Sequence, residues 1–136
     1  MDKETLQSLI SILFPEPIST HFEIKGIKQY REHIEIRFDE LAELIPEELS
    51  KGQHDIILDG FCNPVELQSF PLNGKAVYLK LYRRRWKEKG KTVHYSNSYD
   101  LHPPGVKATT NFASFLKGAF GQTPDQYNTY RRKFMR

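Results

Sequence analysis

Cysteine occurs once in the 136 residues, at Cys62, so no intramolecular disulfide can form. A lone thiol also starves any cysteine-based zinc site, since structural zinc takes several thiolates. Cys62, beside Phe61, reads as a small core filler. No apolar run approaches the roughly 18 residues a membrane span needs. The first turn carries Asp2 and Glu4 with no cationic stretch ahead of an apolar one, which argues against a secretory signal and for a soluble, cytoplasmic chain. There is no glycine-rich phosphate loop, and no two of the five histidines stand at i,i+4 on an expected helix. Asp55, Asp59 and Glu66 would be the acidic set for two-metal chemistry, but they sit on short adjoining strands in a chain too small for such a core beside a substrate-reading part. The serines lack a base and an oxyanion site. The chain is therefore read as non-catalytic, with no metal and no cofactor.

What is present suffices for one domain over residues 1–136. The apolar fraction is 38%, with nine Phe, seven Tyr and one Trp to fill a core. The net charge of +3 conceals a division. Residues 1–74 hold 6 Lys/Arg against 14 Asp/Glu, a net of −8, whereas residues 75–136 hold 14 against 3, a net of +11. A basic half of this kind is an electrostatic footprint for a polyanion, and the acidic half would screen it or bind a basic partner. Attraction between the two halves of one domain is the internal alternative.

The most informative run is Gly74 to Trp86. Val77, Leu79 and Leu81 alternate with Lys80 and Tyr82 as in a half-buried strand. That strand leads into Arg83, Arg84, Arg85 and Trp86, with Lys87, Lys89 and Lys91 following. Cations would neutralise phosphates while the indole packs on sugar or base, or else anchors a hairpin in the core. A solvated hairpin tip kept basic against edge pairing is the other reading.

The remaining periodicity predicts an α+β fold: an N-terminal helix, a mostly antiparallel sheet of five or six strands and a C-terminal helical pair. Leu6, Leu9, Ile10 and Leu13 give the helix over 3–14, ended by Pro15 and Pro17. Two strands fill 21–38 with a turn at Gln29 to Glu32, and Glu40 to Leu49 is either a short helix or an irregular loop. Strands follow at His54 to Gly60, Asn63 to Phe70 and 75–86, then a tip at Glu88 to Gly90 and a return over Thr92 to Tyr99. Phe112, Phe115, Leu116, Ala119 and Phe120 mark an amphipathic helix capped by Thr109 or Thr110. Thr123 before Pro124 starts a second, with Tyr127, Tyr130 and Phe134 inward. Lys107, Thr110, Asn111 and Lys117 on the first helix and its approach, with Arg131 and Arg132 near the end of the chain, form a second basic and polar group in a helix-turn-helix-like pair. Cations near a helix C-terminus also complement its dipole.

Gly60-Phe61, the string Pro64 to Leu79 and Arg83 to Trp86 resemble the N-terminal region of insertion-sequence transposases of the ISAon type. The likeness continues through Tyr99-Asp100-Leu101 and Asn111 to Lys117, covering about residues 20–118. It implies an accessory DNA-binding module that recognises the element's terminal repeats, with strand transfer supplied by a separate catalytic transposase polypeptide or by a frameshifted fusion; a homodimer is a further expected partner. Related ISL-type proteins follow a similar strand with zinc-binding cysteine pairs; this chain has no cysteine after Cys62, so that metal site does not carry over. Phe115 to Tyr127 is similar to the closing segment of AraC-type activators, which supports a helix pair only. Two rival readings remain. One is a protein-interaction module docking onto the catalytic chain. The other is an RNA-binding regulator whose Tyr78, Tyr82, Tyr95 and Tyr99 stack single-stranded bases.

Overall fold

In the computed structural model, residues 2–50, 55–103 and 105–120 are described. The expected second C-terminal helix lies outside them.

Helix α1 (Lys3–Leu13) begins where Asp2 Oδ1 accepts the Thr5 N–H at 2.7 Å. Its apolar stripe seats only partly. Ile10 is buried, while Leu6, Leu9 and Leu13 stay 37–47% exposed. The helix meets the body through its last turn, where the Phe14 ring packs edge-on against Phe38 at 5.1 Å. Pro15 and Pro17 end α1 as expected and also start a new helix, α2 (Glu16–His21), because a proline in a first turn forfeits no hydrogen bond.

Strands β1 (Phe22–Gln29) and β2 (His33–Glu40) form an antiparallel hairpin, closed by Tyr30 N–H to His33 O at 2.8 Å and kinked by a bulge between Ile24 and Gly26. Beyond Glu40 the chain is irregular from 41 to 46, then makes the single-turn helix α3 (Glu47–Ser50). Strands β3 (Ile56–Phe61), β4 (Val65–Leu72), β5 (Lys75–Tyr82) and β6 (Arg84–Glu88) follow, and α4 spans Thr110–Phe120. Between β4 and β5, Asn73 (φ 53°) and Gly74 (φ 75°) make a two-residue turn with left-handed backbone at both positions, the geometry that matches strand twist in tight hairpins.

The fold is α+β. Among the described residues, six strands form two sheets: a four-stranded one in the order β1-β2-β5-β4, and a two-stranded one of β3 with β6. Three of the four ladders are antiparallel; β2 and β5 run parallel at the centre. The alternation in β5 holds: Val77, Leu79 and Leu81 are fully buried and join Ile36, Phe38 and Leu67 under Phe14, Ile18, Phe22 and Leu101. The β4 edge is covered by 107–109, where Gln68 N–H meets Lys107 O at 3.1 Å and Thr109 N–H meets Gln68 O at 3.0 Å. Thr109 Oγ1 accepts the Phe112 N–H at 3.3 Å, so Thr109 caps α4. Phe112 and Phe115 then close on Phe70 at 5.1 and 5.3 Å between ring centres. Among the described residues, no helix is long and apolar enough to cross a membrane.

Candidate nucleic-acid interface

The expected strand over 75–86 is two strands. It breaks at Arg83, because Glu40 captures the chain there. The Glu40 side chain is fully buried at the end of β2. Its Oε1 accepts the Arg84 main-chain N–H at 2.8 Å, and its main-chain oxygen accepts Arg84 Nε at 2.7 Å. Oε2 accepts Asn97 Nδ2 at 3.0 Å and the Tyr99 hydroxyl. Burial, then the bond to the Glu40 carboxylate, push the Tyr99 phenol far above its ordinary range, so it stays protonated and donating. Asn97 Nδ2 also reaches Leu44 O at 2.7 Å.

The expected return strand over 92–99 reduces to one bridge, Trp86 with Tyr95. The ladder partner of β6 is β3, whose Ile56-Ile57-Leu58 suits a pleated strand. The 96–98 stretch is Ser-Asn-Ser, short polar residues that divert hydrogen bonds from a ladder, as Asn97 does toward Glu40 and Leu44. The turn itself is present, with Lys91 N–H on Glu88 O at 3.1 Å and Gly90 at φ 82°.

These constraints divide the basic run. Arg83 is half-buried and donates from Nη1 to Asn97 O at 3.0 Å. Arg84 is held by Glu40 and lies with its guanidinium 5.0 Å from the Phe61 ring centre. Trp86 is 5% exposed, so its ring fills the interior, and among the described residues its Nε1 has no hydrogen-bond partner. Arg85 emerges on the other face of β6: Nε donates to Asp59 O at 2.8 Å, Nη2 stands 3.7 Å from Asp59 Oδ2, and the side chain is 42% exposed. Lys87, two residues on and so on the same face, acts on the same carboxyl. Lys89 and Lys91 are exposed at the turn, Lys91 paired with Glu88 at 3.2 Å. His94 Nε2 lies 2.5 Å from Asp59 Oδ2, and this bond, ahead of the nearby cations, holds the Asp59 carboxyl below its usual range.

The second group is dispersed. Lys107 and Lys117 are exposed, at the two ends of the segment that includes α4. Thr110 and Asn111 line a cleft of about 380 Å³ with Pro15, Glu16, Pro17, Ile18, Asp100 and Leu101. Its charged members are Glu16 and Asp100, so the cleft disfavours a phosphate. Arg131 and Arg132 lie outside the described residues. The residues that sequence reasoning passed over are Glu40, Asn97 and His94, and it weighed Asp59 only as a metal ligand; their partners stand tens of residues away and leave no local spacing signal.

On the open face of the four-stranded sheet, Tyr78 and Tyr82 are half-buried. His33 stacks on Tyr30 at 4.4 Å and meets Tyr78 edge-on at 5.8 Å. The Arg37 guanidinium covers Tyr82 at 4.0 Å while Arg37 Nε donates to Asp39 at 2.8 Å. In comparisons with known proteins, no family model, no curated protein and no solved structure matches this chain.

Proposed function

We propose that the protein is a non-catalytic nucleic-acid-binding module that serves transposition, recognising the ends of an insertion sequence while a separate transposase chain performs strand transfer. The observation that carries the binding reading is the gathering of Arg85 and Lys87 on one half-exposed face of β6, with Lys89 and Lys91 exposed on the turn beyond. Cations so spaced follow a phosphate backbone, and the charge of residues 75–136 adds a long-range attraction. In this reading Arg84 and Trp86 set the shape of the segment instead of touching the ligand. The transposition role rests on the resemblance in residues 20–118.

The test is fluorescence anisotropy of the full chain with three labelled ligands: a duplex from the terminal repeats flanking the gene, a scrambled duplex and a single strand, each at two salt concentrations. Preference for the terminal repeat that survives higher salt supports end recognition. Equal, salt-sensitive binding to both duplexes removes the end-recognition part. No binding to any of the three overturns the nucleic-acid reading.

The aromatic series Tyr30, His33 and Tyr78 on the open sheet face favours a second reading, a single-strand binder that stacks bases there. Tighter binding to the single strand than to either duplex would select it.

A further inference from the structure

The Asp59 carboxylate stands among three basic groups. His94 meets its Oδ2 at 2.5 Å, Arg85 Nη2 approaches the same oxygen at 3.7 Å, and Lys87 lies close enough to favour its ionised form. The cluster stands at the surface, with side-chain exposures of 42% for Arg85, 37% for Asp59 and 36% for His94. Arg85 is positioned by a different atom, the Asp59 main-chain oxygen, which takes its Nε at 2.8 Å. Its planar head is thus oriented whether or not the carboxylate is engaged. Gly60, in the β3 bulge, takes a left-handed φ of +76° that favours glycine, and a Cβ placed there would make only ordinary contact with Arg85 Nη2, at 3.8 Å.

A guanidinium fixed by its Nε and an imidazole N–H that both approach one carboxylate oxygen, with the Lys87 charge acting on the same carboxyl, make a receptor for a tetrahedral oxyanion. We propose that Arg85, Lys87 and His94 form a phosphate-binding subsite in which the Asp59 carboxylate stands in for the phosphate and must yield to it. The inference rests on the nucleic-acid reading for its natural ligand, a backbone phosphodiester, and on the geometry alone for the subsite. Asp59 then acts as a brake. An exposed carboxylate is a weak competitor in water and is displaced at modest cost, so the segment discriminates against isolated phosphates and engages where neighbouring Lys89 and Lys91 add their own contacts.

The experiment uses the full chain and two probes, inorganic pyrophosphate and a labelled duplex of arbitrary sequence, at one pH near neutrality. In wild type, saturating pyrophosphate should shift the Arg85 Nε–H and His94 ring signals in nitrogen-correlated NMR spectra. Asp59→Asn should bind pyrophosphate and duplex about two- to fivefold more tightly, the gain that release of an exposed ion pair supplies. Arg85→Gln should abolish the His94 response. The proposal is overturned if Asp59→Asn keeps the wild-type melting temperature and binds pyrophosphate no more tightly. If that variant melts early, unchanged Arg85 and His94 signals in wild type overturn it, and shifted signals sustain it. A pyrophosphate response without duplex binding upholds the subsite and removes the nucleic-acid reading.

Discussion

Glu40 accepts the main-chain N–H of Arg84, a residue 44 positions further along the chain, at 2.8 Å. This bond ties the end of β2 to the start of β6 and ends the β5 strand. The same buried carboxylate also fastens Asn97 and Tyr99, so one side chain fixes the segment that crosses behind the basic run. Glu40→Ala should cost about 2–3 kcal/mol of stability, because it removes a buried carboxylate and takes an acceptor from three part-buried donors. Denaturant unfolding monitored by Trp86 fluorescence measures it; a loss below about 1 kcal/mol would show that water replaces the carboxylate.

Tyr99 gives an alkaline signature. Its phenol is pushed above the ordinary value of 10.0 in the folded chain, so the folded state holds the proton that the unfolded state releases. The stabilisation is fully present below pH 10 and is lost as pH rises beyond it. Melting temperatures taken from pH 8 to 11 should fall more steeply for wild type than for Tyr99→Phe. Parallel curves would mean that burial and the Glu40 bond together leave the phenol unperturbed.

How much of this was legible in the sequence depends on the range of the interaction. The β5 alternation and the Thr109 cap of α4 are written in neighbouring residues, and both stand in the structure. The break at Arg83 was not legible. An alternating strand followed by three arginines reads as continuous until Glu40, distant in sequence, captures Arg84. The loss of the return strand has the same source, since Asn97 spends its amide on Glu40 and Leu44. On α1 the periodicity was right and the burial was not: spacing says which residues share a face, and contact with the body decides how many are covered.

The basic run divides into cations that build the fold and cations that face solvent. Replacing Lys87, Lys89 and Lys91 together by Ala should leave the melting temperature within a few degrees of wild type and reduce the salt slope of nucleic-acid binding by about 2–3. Arg84→Ala should instead cost about 1–2 kcal/mol of stability, through the lost Nε bond to Glu40 O and the lost packing on Phe61. An unchanged salt slope in the triple variant would show that these lysines do not touch phosphate.

Trp86 is buried, and its Nε1 finds no partner among the described residues. Trp86→Phe removes that donor along with part of the ring, so the two effects oppose, and the net loss should stay near 1–2 kcal/mol. Trp86→Ala should cost about 3–5 kcal/mol. Thermal unfolding by circular dichroism compares them. Equal losses would mean that the indole N–H has an acceptor.

The parallel pairing of β2 with β5 sets a timetable for synthesis. His33 pairs with Ala76 and Asp39 with Tyr82, so the inner edge of β2 waits for a strand that emerges about forty residues later. At ribosomal speeds of about 5–20 residues per second, that edge stays open for roughly 2–8 s. The β1–β2 hairpin can form at once, but it must persist with an unpaired, half-apolar border until the β4–β5 hairpin, closed by its Asn73-Gly74 turn, arrives as a preassembled unit to cover it.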